Sequence, residues 1–387
     1  MTSGHTTAAI LTRFLPQYRQ HHVLSPQQAK VAGLVCRCRT DALGSVALTC
    51  PRCQHQQTCH RSCRNRHCPQ CQRQGSAAWL AARCDDLLPV PYFHVVFTLP
   101  HALNGWAQRH PEVIYRLLFH VVWQTLASFG RDPKRLSGQL GMTAVLHTWG
   151  QNLSQHIHLH CLIPGGAYDR QREQWHPAKS TYLFPVKALS RHYRGAMVSA
   201  LRQAYRAGEL PGITQPDDVD STLKTLMATD WVVYSRATCT QSTTVLAYLA
   251  RYTHRIALSD SRIREVTDRD VSFVYKRYAQ GGSLEEMRLA GDEFVRRWLL
   301  HVLPHGFMRI RHYGFLANAC RRKHLGRIRQ CLNKTRTNNG HDRPVPASSL
   351  PAQVIHRRWP PQCPCCGLCA LQIAPVSDSP LGRTALR

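Results

Sequence analysis

Gln155-His156-Ile157-His158-Leu159-His160-Cys161-Leu162-Ile163 is the stretch whose reading decides the fold. Apolar residues alternate with histidines, and an apolar run follows, which is the pattern of a β-strand. Residues two apart on a strand share a face. His156, His158 and His160 therefore point one way, and Ile157, Leu159 and Cys161 the other. His158 and His160 are the preferred pair for a shared ion. They bracket Leu159 and run into the apolar continuation, and a neutral imidazole is a good ligand for a divalent cation. A polar loop precedes the strand and Gly165-Gly166 follows it, so the pair sits toward the end of a sheet.

A second stretch, Ala247-Tyr248-Leu249-Ala250-Arg251-Tyr252-Thr253-His254, has helical character. Residues four apart on a helix are stacked neighbours, so Tyr248 and Tyr252 share a face. Packing of an amphipathic helix on a sheet is the ordinary explanation of such spacing. The company the pair keeps argues for more. A phenol has a pKa near 10 and needs help to attack at neutral pH. A metal can polarise a phosphate, and Arg251 and Arg255 can stabilise developing charge. Histidines for a metal and tyrosines for nucleophiles together point to strand transfer on a phosphodiester.

The charge balance agrees. The chain has 387 residues, and 50 Lys+Arg face 22 Asp+Glu for a net charge of +28. Such a field favours a polyanion, nucleic acid before an anionic membrane, because no long basic amphipathic helix stands out in the sequence. The apolar run near the amino terminus is too short for a secretory signal. Leu87 to Gln108 lacks Asp, Glu, Lys and Arg but holds three prolines, and reads as a buried strand at Tyr92–Thr98 rather than a membrane span. The expected compartment is the cytoplasm, at the nucleoid.

Seventeen cysteines are present, eight of them between Cys36 and Cys71. In a reducing compartment, spaced pairs mean metal thiolates rather than disulfides. Cys50-x-x-Cys53 and Cys68-x-x-Cys71 are two knuckles at a spacing that suits one tetrahedral Zn2+. Cys38, Cys59, Cys63 and His67 offer donors for a second ion. Arg61, Arg64, Arg66 and Arg73 surround the second knuckle and are candidate phosphate contacts. Cys363-x-x-Cys366, with Cys365 and Cys369 beside it, is one further knuckle without an obvious partner in the sequence.

Organisation follows from these segments. Residues 1–35 are expected to form a helical lead-in, 36–75 a zinc-binding domain, 76–332 the main α/β body with a basic carboxy-terminal half, and 333–387 a linker with a cysteine-containing tail. Strands are expected at 92–98, 142–148, 156–163, 182–186, 231–234, 271–275 and 307–311. Helices are expected at 76–88, 112–129, 187–207, 241–254, 292–302 and 316–332. Short turns between strands make the class α+β, with a mainly antiparallel sheet flanked by helices.

Four segments, in order, carry a resemblance. They are Ser62-Cys63-Arg64-Asn65-Arg66-His67-Cys68-Pro69-Gln70-Cys71; Leu146-His147-Thr148-Trp149-Gly150-Gln151-Asn152-Leu153 running into His158-Leu159-His160-Cys161; Tyr248 to Arg255; and Arg309-Ile310-Arg311-His312-Tyr313-Gly314-Phe315-Leu316-Ala317-Asn318. The chain resembles the rolling-circle, two-tyrosine transposases of the IS-ninety-one-like bacterial insertion sequences, over roughly residues 10–335. The resemblance implies an amino-terminal zinc domain and a nuclease core of the His-hydrophobic-His (HUH) class. It implies Mg2+ or Mn2+ held by His158 and His160, and 5′-phosphotyrosine links made by Tyr248 and Tyr252 on single-stranded DNA. HUH sites take a third polar ligand, for which His147, Gln151, His156 and His254 are the candidates. A plasmid replication initiator or relaxase shares this chemistry. A non-catalytic zinc-dependent DNA-binding protein is the rival of another class.

From Phe294 to Thr337 the chain carries eleven Lys/Arg and no acid. Arg309, Arg311, Arg321 and Arg322 are expected to track phosphates. Tyr313, with Phe307 and Phe315, is expected to stack unpaired bases.

Overall fold

The computed structural model describes residues 5–72, 83, 86–178, 182–213, 216–238, 256–277, 281–338, 361–367 and 370–373. The elements are α1 (Thr7–His21), α2 (Pro26–Cys36), β1 (Ser45–Thr49), β2 (Gln56–His60), β3 (Tyr92–Thr98), α3 (Asn104–Arg109), α4 (Pro111–Arg131), β4 (Gly141–Trp149) and β5 (Gln155–Pro164). There follow β6 (Gly166–Asp169), β7 (Gln174–Pro177), α5 (Val186–Arg206), α6 (Pro216–Ala228), β8 (Val233–Thr238), β9 (Ile263–Val266), β10 (Asp270–Arg277), β11 (Ser283–Ala290), α7 (Gly291–Leu299), β12 (Ile310–Gly314), α8 (Arg321–Asn338) and β13 (Gln372–Ile373). The mixed architecture with mainly antiparallel sheets is the expected class.

The centre is a five-stranded antiparallel sheet in the order β12-β4-β5-β3-β8. The histidine strand β5 is therefore interior, hydrogen-bonded on both edges. Its alternation decides its orientation: Ile157, Leu159, Cys161 and Ile163 are fully buried. They join a core built with Leu118, Val122 and Leu126 of α4 and Tyr193, Met197 and Leu201 of α5. Burying an Ile or Leu side chain stabilises by roughly 1.5–3 kcal/mol, and a one-residue slip of register would turn every one of these side chains outward. Register and histidine direction are thus fixed by the same residues.

A second cluster lies beside the sheet. Ile10, Leu11 and Phe14 of α1 and Val31 and Val35 of α2 pack with Phe273 of β10 and Phe294 and Trp298 of α7. Ser25 caps α2 through a reciprocal capping box with Gln28, and Pro26 opens the helix. This body braces the β4–β5 turn. Arg262 Nη2 donates to the Gln151 carbonyl at 2.5 Å, Arg297 Nη1 to that of Asn152 at 3.2 Å, and His301 Nε2 to that of Leu153 at 3.1 Å.

Several local expectations are corrected. Residues 182–184 form bends rather than a strand, and the strand expected at 307–311 lies at Ile310–Gly314. The helix expected from 316 begins at Arg321, because a turn through Phe315–Cys320 precedes it. The helix expected at 76–88 and the tyrosine helix at 241–254 fall almost wholly or wholly outside the described residues.

Candidate active site

Three histidines from two adjacent strands converge on the sheet face opposite α4 and α5. His147 of β4 is the direct cross-strand partner of His158 of β5, and Val145 faces His160. Directly paired residues share a face. The ring donors of His147, His158 and His160 lie within 4.8 Å of one another, close enough to share one ion. His147 is 2% exposed, whereas His158 and His160 are half-buried, so the cluster has a closed side and a side open to solvent.

Hydrogen bonds set the tautomers. His158 Nδ1 lies 2.8 Å from the His156 carbonyl, which only accepts, so Nδ1 carries the proton and Nε2 carries the lone pair. His160 Nδ1 lies 2.8 Å from His94 Nε2. Burial pushes His94 down to about 4, so His94 is neutral and one ring must donate to the other. Donation by His160 leaves its Nε2 basic and able to ligate; donation by His94 would not. His94, a residue missed in the sequence, is thus placed to select the ligating tautomer. Its signal was the strand Tyr92–Thr98, whose register puts His94 opposite Leu162 and next to His160's row.

The remaining candidates for the third ligand are placed elsewhere. His156 pairs with His101, Nδ1 to Nε2 at 3.1 Å, and burial lowers its pKa. Gln151 sits in the braced turn. His254, Tyr248, Tyr252, Arg251 and Arg255 lie outside the described residues.

The same sheet face extends to its far edge. Tyr234 of β8 faces Val96 of β3, which faces His160. Arg236 faces His94. Both are exposed, and two strand spacings put Tyr234 about 10 Å from His160 in the same row. A strand is expected at 231–234, yet neither residue stood out, because their place on this face depends on the pairing of β8 with β3.

The basic carboxy-terminal segment is used differently from the expectation. Arg309 is 7% exposed and donates to Gln72 at 3.1 Å. It is an internal tie rather than a DNA contact. Phe307 and Phe315 are buried, so neither stacks on a base. Arg311 lies 4.3 Å above the Phe119 ring, and Tyr313 stacks on Trp123 at 5.3 Å. Arg321 is ion-paired with Asp86 at 3.2 Å. Arg322 is exposed and remains a candidate phosphate contact.

The cysteines divide into two clusters. The sulfurs of Cys38, Cys63, Cys68 and Cys71 come together, and so do those of Cys50, Cys53, Cys363 and Cys366. The expected single site of Cys50, Cys53, Cys68 and Cys71 is therefore not formed. Cys50 and Cys53 occupy the tip of the β1–β2 hairpin, while Cys38 and Cys63 flank its open end. Five residues of strand separate the two ends by roughly 15 Å. In the first cluster Cys71 lies 3.6 Å from both Cys38 and Cys63, and Cys68 3.6 Å from Cys38. Zn–S bonds of about 2.3 Å in a tetrahedron set sulfurs about 3.8 Å apart. Burial pushes the Cys38 thiol up to about 11, so this thiol keeps its proton at neutral pH unless a cation displaces it. His67 is not a member. Its Nε2 accepts from the Leu303 N–H at 3.4 Å, and burial pushes it down to about 3. Arg66 is likewise committed, to the carbonyls of Phe307 and Pro304.

Comparison with known proteins decides the family. Residues 10–99 match the family described as "Transposase zinc-binding domain", and residues 141–324 the family described as "Putative transposase". The chain is 38% identical to "Putative transposase y4qJ" of Sinorhizobium fredii, over 94% of this chain and 93% of that one. The chain belongs to the IS-ninety-one family of transposases. A second member, "Transposase for insertion sequence element IS801" of Pseudomonas savastanoi pv. phaseolicola, is 25% identical over 76% of this chain and 72% of its own. No solved structure matches. Family membership makes the protein a DNA-binding enzyme of DNA cleavage and strand transfer. The zinc-domain match and the thiolate clusters support structural zinc. No helix among the described residues is long and apolar enough to cross a membrane.

Proposed function

We propose that the protein cleaves and rejoins single-stranded DNA at the ends of its insertion sequence by rolling-circle transposition through 5′-phosphotyrosine intermediates. The convergence of His147, His158 and His160 on one open sheet face carries this reading. Three imidazoles with an open side fit a divalent ion, and without a carboxylate they suit Mn2+ better than Mg2+. His158 and His160 would hold it through Nε2, with His147 as the third ligand. When bound, the ion would polarise the scissile phosphate and offset its charge.

The protein's own groups do the rest. Tyr248 or Tyr252 loses its phenolic proton and its oxygen attacks phosphorus. The bond to the 3′ oxygen breaks, and that oxygen takes a proton to become a free hydroxyl. The phosphotyrosine keeps the bond energy, so rejoining needs no nucleotide cofactor. The second tyrosine serves the next strand. Exposed Tyr234 and Arg236 offer a stacking ring and a phosphate contact along the same face.

Labelled single-stranded oligonucleotides carrying the element ends test the reading. A covalent protein–DNA band that survives denaturation is expected, and the Tyr248→Phe, Tyr252→Phe double variant should lose it. Undiminished nicking by that variant would sink the tyrosine assignment.

A further inference from the structure

The tail knuckle that lacked a partner in the sequence has one in space. Cys363 and Cys366 lie against Cys50 and Cys53, with sulfurs 3.5 Å apart for Cys53–Cys363 and 3.7 Å for Cys50–Cys366. All four donors fall within 4.8 Å of one another. These separations match the edge of a tetrahedral zinc thiolate, about 3.8 Å, and exceed a disulfide bond of about 2.05 Å.

The two knuckles are built alike. Cys50-Pro51-Arg52-Cys53-Gln54 and Cys363-Pro364-Cys365-Cys366-Gly367 share a proline after the first cysteine. Each closes with a backbone bond from the residue after the second cysteine to the carbonyl of the first. These bonds are Gln54 N to Cys50 O at 3.0 Å and Gly367 N to Cys363 O at 2.9 Å. Each closing residue has positive φ, 56° at Gln54 and 66° at Gly367. Gly367 adopts this without strain, whereas Gln54 requires a site that holds it there. Two knuckles of one geometry facing each other form the zinc-ribbon arrangement.

Around the sulfurs the packing is small but closed. Leu48 and Leu371 are fully buried beside Cys50 and Cys363. The short strand β13 adds to β1, pairing Leu48 with Ile373 and Thr49 with Gln372. Two strand pairs and two leucines are too little apolar burial to hold a tail alone.

We propose that Cys50, Cys53, Cys363 and Cys366 bind a second structural zinc ion that fastens the carboxy-terminal tail to the amino-terminal module. Its two tail ligands lie beyond the matched transposase domains, which end at residue 324. The four thiols release their protons to solvent on binding. The ion links residues more than 300 positions apart (Cys53 and Cys363 are separated by 310), so it closes a loop that spans most of the chain.

Metal content of the purified full-length protein tests this independently of DNA cleavage. Relative to the parent, Cys363→Ser, Cys366→Ser should lose one equivalent of zinc, and so should Cys50→Ser, Cys53→Ser. The quadruple variant should also lose one equivalent, because both pairs serve one ion. Cys365→Ser should lose none. Full zinc content in the tail variant, or two equivalents lost in the quadruple variant, would overturn the site. Where the hairpin variant fails to fold, alkylation of the parent decides. Cys50, Cys53, Cys363 and Cys366 should become reactive together on chelation, and reactivity of the tail pair before chelation would also overturn it.

Discussion

His94 Nε2 lies 2.8 Å from His160 Nδ1, on the neighbouring strand of the same sheet face. The contact joins a buried neutral histidine to a half-buried one whose other nitrogen is the expected ligand atom. Replacing His94 by Phe keeps the ring volume and removes the acceptor. Mn2+ affinity, read by calorimetric titration, should fall by about 10–100-fold, the usual effect of losing an outer-shell partner. Unchanged affinity would mean that His94 is only packing.

The DNA face and the basic interior should separate by salt. Arg236→Ala should weaken single-stranded DNA binding and shallow the slope of log affinity against log salt by roughly 0.7. Arg309→Met should leave that slope alone, since Arg309 is buried against Gln72, and instead lower the melting temperature. Filter binding across a salt series distinguishes the two.

His301 makes stability sensitive to acid. Burial pushes it down to about 4, below the unfolded value of about 6.5. The unfolded chain therefore binds more protons between these values. The contribution of neutral His301 is complete above about 6.5 and is lost as pH falls through 4. A tenfold difference in proton affinity between the folded and unfolded chain corresponds to about 1.4 kcal/mol, so the loss is on the order of a few kcal/mol. Thermal melts from pH 7 to 4 should show it, and His301→Gln should flatten the profile.

Gly314 ends β12 with φ of 61°, and a Cβ there would lie 1.7 Å from the Leu140 carbonyl oxygen. Backbone cannot yield as a side chain does. Gly314→Ala should destabilise by more than about 2 kcal/mol, measured by urea titration of the parent and variant.

Legibility in the sequence followed the range of the causes. The strands at Tyr92–Thr98 and Gln155–Pro164 were readable because alternation and apolar runs are local. That His158 and His160 share a face was readable for the same reason. That His147 lies beside them was not readable, because it depends on the β4–β5 register. His94, Tyr234 and Arg236 needed the order of strands across the sheet. The cysteines misled because knuckle spacing identifies zinc ligands but not their partners: a hairpin separates Cys50 from Cys68, and 310 residues separate Cys53 from Cys363. Acid-free composition between Phe294 and Thr337 looked like a DNA surface, yet Arg309, Phe307 and Phe315 are buried. Charge runs do not reveal which side chains turn inward.

Metal dependence of the covalent DNA adduct is the most direct test. With element-end oligonucleotides, the parent should form the adduct in Mn2+ and not in EDTA. His147→Ala should need at least about 100-fold more Mn2+, a larger effect than losing an outer-shell partner, and the His158→Ala, His160→Ala double variant should form none. An adduct of equal yield in EDTA, or one that survives loss of both strand histidines, would contradict a metal-assisted site on this sheet face.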